Sequence, residues 1–174
     1  MKILVISEHD NSVLSSSTLN ALSAAKLINS EIDVLVAGHS CKEVAEQASR
    51  IPIVKKIIHV DSPEYKNFIA ENISKLIIDL SENYSHIVAP SSTMGKNYMP
   101  RVAAILDVMQ ISDIIKVIDD STFQRPIYAG NALSTVKSSD KTKIITVRTT
   151  AFEATDDSGG NAEIIHHDYQ SNIN

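Results

Sequence analysis

His86-Ile-Val-Ala-Pro-Ser-Ser-Thr-Met-Gly-Lys-Asn-Tyr-Met-Pro-Arg-Val-Ala-Ala-Ile-Leu106 decides how this chain is read. A short apolar run, a turn of small polar residues and an apolar helical stretch follow one another, the strand–loop–helix passage of an α/β sheet. In such sheets, ligands and partner segments settle in the crevice beyond the carboxyl ends of the strands. Gly95 permits a close backbone approach. Lys96 adds a cation at a helix start, where free N–H groups already favour anions. Two readings stand side by side: a functional rim loop, or a polar connection that merely crosses the rim.

Upstream, the same order repeats. Ser62-Pro63-Glu64 opens a predicted helix of about four turns, with Tyr65, Phe68, Ile69, Ile73, Leu76, Ile77 and Leu80 on one face. Residues 55–60 form the strand before it. Ser40 and Glu43 have the spacing of a capping box ahead of a short helix carrying Val44, Ala45 and Ala48. Residues 2–6 are a continuous apolar run, the kind expected of a strand buried on both faces, and residues 32–37 are the next strand, closed by Gly38. Between them a helix starts after Ser16 or Ser17, with Leu19, Leu22, Ala25 and Ile28 as its buried stripe. Repeated units of this kind imply right-handed crossovers and a mostly parallel sheet.

Downstream of Leu106 the texture changes. Residues 111–118, 123–129, 132–137 and 143–148 all read as strands, with no room for helices between them. Gly130-Asn131 is a two-residue hairpin signal, so residues 124–129 and 132–137 should pair antiparallel. Arg125-Pro126 suits an edge, because proline cannot donate to a ladder. A parallel α/β half therefore runs into an antiparallel β-rich half. Residues 154–161 have the composition of a flexible link, and residues 163–167 could add one more strand. The expected organisation is an α/β domain over 1–153 and a linker or tail over 154–174.

Composition narrows the function classes. The 174 residues are 43% hydrophobic and 21% charged, ordinary globular usage with ample material for a core. A net charge of -5 argues against a nucleic-acid partner, which would need a clustered basic face. The single Cys41 argues against an internal disulfide framework and a thiolate zinc site, and fits a reducing compartment. No targeting segment precedes the first strand and no apolar run approaches membrane-spanning length, so a cytoplasmic protein without membrane insertion is expected.

Familiar catalytic and nucleotide motifs fail one by one. A Walker loop needs a glycine five residues before Gly95-Lys96 and a Ser or Thr after them; Pro90 and Asn97 stand there. Residues 7–11 contain no glycine, so the dinucleotide fingerprint is absent. Ser158-Gly159-Gly160 lies in the link and reads as ordinary linker chemistry. Cys41 sits beside a helix cap that could lower its pKa, but a small buried cysteine is the plainer reading. His59 and His86 fall in strands and read as structural. His166 and His167 would point to opposite faces of a strand, a poor metal pair. Neither catalytic nor metal-ligating residues are expected.

Taken together, several stretches resemble one family, the alpha subunit of electron-transfer flavoproteins. They are Ile3-Leu-Val-Ile-Ser-Glu-His9, Thr18-Leu19-Asn20, Val36-Ala37-Gly38, Gly95-Lys96-Asn97 with Pro100-Arg101-Val102-Ala103-Ala104, and Ile111-Ser112-Asp113-Ile114. Tyr128-Ala129-Gly130-Asn131-Ala132, Thr135-Val136-Lys137, Val147-Arg148 and Ser158-Gly159-Gly160 follow in order. The resemblance implies a mostly parallel three-layer α/β sheet of the adenine-nucleotide-hydrolase-like kind, with an added antiparallel β section. It implies a scaffold domain without its own catalysis, heterodimeric with a beta subunit that binds AMP. FAD would be held by a C-terminal domain beyond Asn174, so no cofactor-binding residue is carried onto this chain. The complete protein would take electrons from dehydrogenases of the acyl-CoA type and pass them to the respiratory chain through a quinone oxidoreductase. Tyr98, Met99 and Pro100 stand where the beta subunit carries polar phosphate-binding residues. The resemblance therefore assigns scaffold or interface roles to Gly95, Lys96, Asn97, Arg101, Asp113, Tyr128, Gly130 and Asn131. The alternative is a free-standing adenine-nucleotide-binding module that uses the Gly95-Lys96 rim.

Overall fold

A computed structural model describes residues 1–168. Strands β1 (Ile3–Ile6), β2 (Ile32–Gly38), β3 (Lys56–Asp61) and β4 (His86–Pro90) alternate with helices α1 (Ser16–Ile28), α2 (Lys42–Ser49), α3 (Ala70–Ser81) and α4 (Thr93–Ile105). Side chains alternate across a strand, so the unbroken apolar run of β1 feeds two cores at once. Ile3 and Val5 pack with Leu22 of α1 and Val44 of α2. Leu4 and Ile6 pack on the opposite face with Ile73 of α3 and Val102 of α4. All four β1 residues are buried, which is why the run has no polar break.

The remaining strands are β5 (Gln110–Ile114), β6 (Lys116–Val117), β7 (Thr122–Ile127), β8 (Ala132–Lys137), β9 (Lys143–Val147) and β10 (Glu163–His166). Seven strands form the main sheet in the order β10-β3-β2-β1-β4-β9-β5, and every pair in it is parallel. A second sheet, β6-β7-β8, is antiparallel. The expected architecture holds, with two corrections to its β-rich half. The stretch 111–118 is not one strand: its register shifts between Ile111 and Ile114, Asp113 has φ 60°, and the chain leaves for the second sheet at Lys116. Nor does 143–148 join the antiparallel half, because β9 threads between β4 and β5. Ile144, Ile145 and Val147 are fully buried, which only a central strand covered on both faces provides. The antiparallel sheet thus stands where a crossover helix would. Phe123 from β7 is fully buried in the same core as α1.

Local chemistry moves several boundaries. Helix α1 is capped by Ser15, ahead of both expected caps, Ser16 and Ser17, through a bond accepted from the Ser17 N–H. The four-turn helix after Ser62 is a correction. Pro63–Tyr65 makes a single 3-10 turn, Phe68 turns left-handed at φ 51°, and α3 starts only at Ala70. A left-handed bulky residue cannot continue a helix. Tyr65 instead drops into the α3–α4 core, and Phe68 sets its ring against Tyr98. The capping box is also absent. Ser40 has φ 54°, and the Asp61 carboxylate accepts from the N–H groups of Ser40 at 2.7 Å and Cys41 at 3.2 Å. The cap of α2 comes from the end of β3, a tertiary partner.

The hairpin pairs as expected but turns through residues 128–131, since Ile127 faces Ala132. Tyr128, Ala129 and Gly130 all have positive φ, and glycine alone adopts it freely. The stretch 154–161, expected as a flexible link, ends as a pinned strap. Gly160 N–H donates to the Arg50 carbonyl at 2.6 Å and Ala162 N–H to Ser49 at 2.8 Å. It delivers β10 to the free edge of β3. No helix among the described residues is long and apolar enough to cross a membrane.

Candidate functional site

Strand β1 has β2 on one side and β4 on the other, so the order of the sheet reverses there. The crevice at such a switch point, between the starts of α1 and α4, is where an open α/β sheet places a ligand. Ser92 caps α4 by accepting from the Gly95 N–H at 3.0 Å. This helix start is the place where a phosphate would be expected.

Glu8, at the end of β1, already fills it. Its Oε1 accepts from the Ser92 hydroxyl and its Oε2 from the Ser17 hydroxyl at 3.0 Å. The Glu8 backbone N–H donates to Thr18 Oγ1 at 2.9 Å, and the residue is 6% exposed. One buried carboxylate therefore ties the N-termini of two helices, each of which favours negative charge. Tyr98 completes the wall. It is fully buried, and both burial and the nearby Glu8 charge raise its phenol well above the ordinary value. A bound phosphate at the same helix starts would meet this carboxylate as a like charge.

Gly95 does allow close approach, but of its own strand. A Cβ there would lie 2.0 Å from the Pro90 carbonyl oxygen. Lys96, Asn97 and Arg101 are exposed on α4. Asp113 bonds Arg148, whose Nε donates at 3.0 Å and whose Nη2 also donates. Partial burial works to raise the Asp113 carboxyl, but the Arg148 contacts outweigh it and, with a contribution from the Lys96 cation, hold it below the usual carboxylate value. Lys96, Asp113 and Arg148 thus share one charged patch. Tyr128, Gly130 and Asn131 occupy the exposed hairpin tip, with Tyr128 81% exposed. Gly95 is buried, and the other candidates lie on the face of α4, at the Asp113–Arg148 pair and at the hairpin tip, not in one pocket.

Ser158-Gly159-Gly160 opens no phosphate cradle either. A Cβ on Gly160 would lie 2.6 Å from the Ile51 carbonyl oxygen, so this glycine serves close packing on the end of α2. Cys41 is no activated nucleophile. Burial, then the Asp61 charge, pushes its thiol up to about 11, in line with the plainer reading of a small buried cysteine and not with a thiol lowered by a helix cap. His86 is structural, buried with Nε2 2.7 Å from the Asp120 carbonyl. His59 is likewise buried in its strand, and both of its ring nitrogens are in contact with side chains. It stands between Cys41 and His166, a convergence that no sequence spacing signals.

The family described as electron transfer flavoprotein domain matches residues 3–171. The chain is 51% identical over 164 residues to an electron transfer flavoprotein subunit alpha of Pseudomonas aeruginosa, covering 94% of this chain and 53% of that protein. It is 51% identical over 170 residues to a mitochondrial subunit alpha of Dictyostelium discoideum, covering 93% and 48%. A subunit alpha of Paracoccus denitrificans is 44% identical over 160 residues, covering 91% and 52%. The chain spans about half the length of these curated relatives.

Proposed function

Because this chain belongs to the electron transfer flavoprotein family, we propose that it is the N-terminal base of an alpha subunit, a scaffold that pairs with a beta subunit. The base takes in β10 as well as residues 1–153, because that strand joins the main sheet, and the domain that holds FAD follows it in the complete protein. The flavin accepts and passes on electrons. In this reading the described residues do not hold it, and Gly160, the last of the 158–160 glycines, serves packing on the Ile51 carbonyl. The complete protein takes electrons from dehydrogenases of the acyl-CoA type and delivers them to the respiratory chain through a quinone oxidoreductase, in the cytoplasm of a bacterium. The beta subunit carries the AMP.

The observation that carries the scaffold reading is the Glu8 carboxylate across the switch-point crevice, which supplies the anion from within the chain. In this reading, exposed apolar and charged surface serves docking. The antiparallel sheet exposes Leu133 (60%) and Tyr128 (81%), and the Lys96–Asp113–Arg148 patch supplies charge for orientation. Co-expression with a beta-like subunit tests this reading. A one-to-one complex is expected, weakened about tenfold or more when Asp113 and Arg101 are both changed to Ala. Calorimetric titration of the isolated chain with AMP and FAD should give no saturable heat. Tight AMP binding by the isolated chain would overturn the scaffold reading in favour of a free-standing nucleotide module.

A further inference from the structure

The carboxyl ends of β2, β3 and β10 bring together side chains that lie far apart in sequence. Cys41, at the start of α2, is fully buried, with its Sγ 3.4 Å from His59 Nε2. Asp61, two residues beyond His59 on β3, points its carboxylate to the same place. The thiol, imidazole and carboxylate ligand atoms all lie within 4.8 Å of one another. We propose that Cys41 Sγ, His59 Nε2 and an Asp61 carboxylate oxygen form a binding site for one divalent ion of the zinc class.

The geometry suits that ion. Zinc bonds of about 2.3 Å to sulfur and about 2.0–2.1 Å to nitrogen, at a tetrahedral angle, set the two ligands about 3.5 Å apart. The Sγ–Nε2 spacing of 3.4 Å needs almost no rearrangement. Asp61 is held in place because it accepts the Ser40 and Cys41 N–H bonds that cap α2. His59 is oriented from behind. Its Nδ1 lies 2.9 Å from Nδ1 of His166, the residue directly opposite in the parallel register of β10 and β3. A proton on His59 Nδ1, donated to His166, leaves Nε2 with its lone pair for the metal, the usual way a partner fixes a ligand's tautomer. A cleft of about 310 Å³, lined by His59, Asp61, His166 and Asp168 among others, gives access for the ion and for a water as fourth ligand. Sulfur with imidazole selects zinc-class ions over magnesium or calcium, which prefer all-oxygen sets. Binding replaces the thiol S–H bond with an S–metal bond, and the proton passes to solvent.

The site also gives the strap a purpose. The ion fixes His59, His59 holds His166, and His166 belongs to the strand that residues 154–161 deliver. Metal occupancy should therefore tighten β10 on the sheet.

The test is titration of the 174-residue chain, stripped of metal and kept reduced, with Zn2+ and separately with Co2+. One equivalent should bind, and the Co2+ form should show a thiolate-to-metal charge-transfer band. Cys41→Ser should abolish the band and weaken Zn2+ by more than ~100-fold, beyond the range of a supporting residue. His166→Ala should keep the band but weaken binding by about 10–100-fold. X-ray absorption of the zinc-loaded parent protein avoids any question of variant folding, and should show one sulfur at about 2.3 Å. Absence of stoichiometric binding, a zinc shell without sulfur, or undiminished binding by Cys41→Ser would overturn the site. The last result would place the ion away from Cys41.

Discussion

The carboxyl rim of the main sheet has two sides that contrast sharply. At β1 and β4, the residues that draw the eye in sequence, Gly95 and the Ser-rich loop, turn out to be occupied by the protein itself. Gly95 is pressed on Pro90, and Glu8 sits across both helix starts. At β2, β3 and β10, residues that read singly as structural converge on one point. A motif announces local geometry, whereas a site needs atoms in one place. Local geometry can serve packing alone.

The largest effect expected from breaking this contrast is at Gly95. Alanine is the better helix former by about 1 kcal/mol, so Gly95→Ala would stabilise the chain if the glycine served only an open loop. With a Cβ 2.0 Å from a backbone carbonyl, it should instead destabilise by about 3 kcal/mol. Urea unfolding reads the sign directly. Glu8 comes next. Glu8→Gln removes the charge that both helix N-termini favour and should cost roughly 1–2 kcal/mol. Glu8→Ala should go further and admit an external anion. Inorganic phosphate should then raise the melting temperature of that variant and leave the parent unmoved. Equal stabilisation of both proteins would mean that Glu8 does not block the crevice.

A pH series compares the rim with the opposite end of the sheet. Burial chiefly, with the nearby Lys143 charge, holds His86 below its ordinary value, against the Asp120 carbonyl that works to raise it. The unfolded chain binds the proton more readily, so the stability from neutral His86 is complete above about pH 6.5 and is lost as pH falls towards the folded value. The urea midpoint should decline below that pH, and His86→Asn should flatten the decline. The smallest effect belongs to Asp113. Its partner Arg148 has a side chain 43% exposed, so Asp113→Asn should change stability by less than about 1 kcal/mol. A larger loss in affinity for a beta subunit than in stability would mark Asp113 as an interface residue.

What could be read in the chain follows burial. Residues 3–6 are an unbroken apolar run and residues 32–38 an apolar run broken only by Asp33, which is buried and accepts from the Tyr84 hydroxyl; both faces of each strand are covered. Residues 62–69 misled because Tyr65 and Phe68 are apolar at helical spacing, yet Tyr65 is buried and Phe68 half-buried from a turn that Phe68 itself breaks. Residues 143–148 misled because an apolar strand does not state its neighbours. Only the whole sheet put β9 between β4 and β5.

The sequence by itself determined the alternating α/β plan, the hairpin around Gly130 and the family, since these depend on period, turn chemistry and residue order. Only the tertiary structure decided that Asp61 caps α2, that Glu8 closes the switch-point crevice and that His166 lies 2.9 Å from His59. Each of those contacts joins residues on different elements. Their separation along the chain carries no signal, because the distance between them is set by the register and order of strands that neither residue specifies.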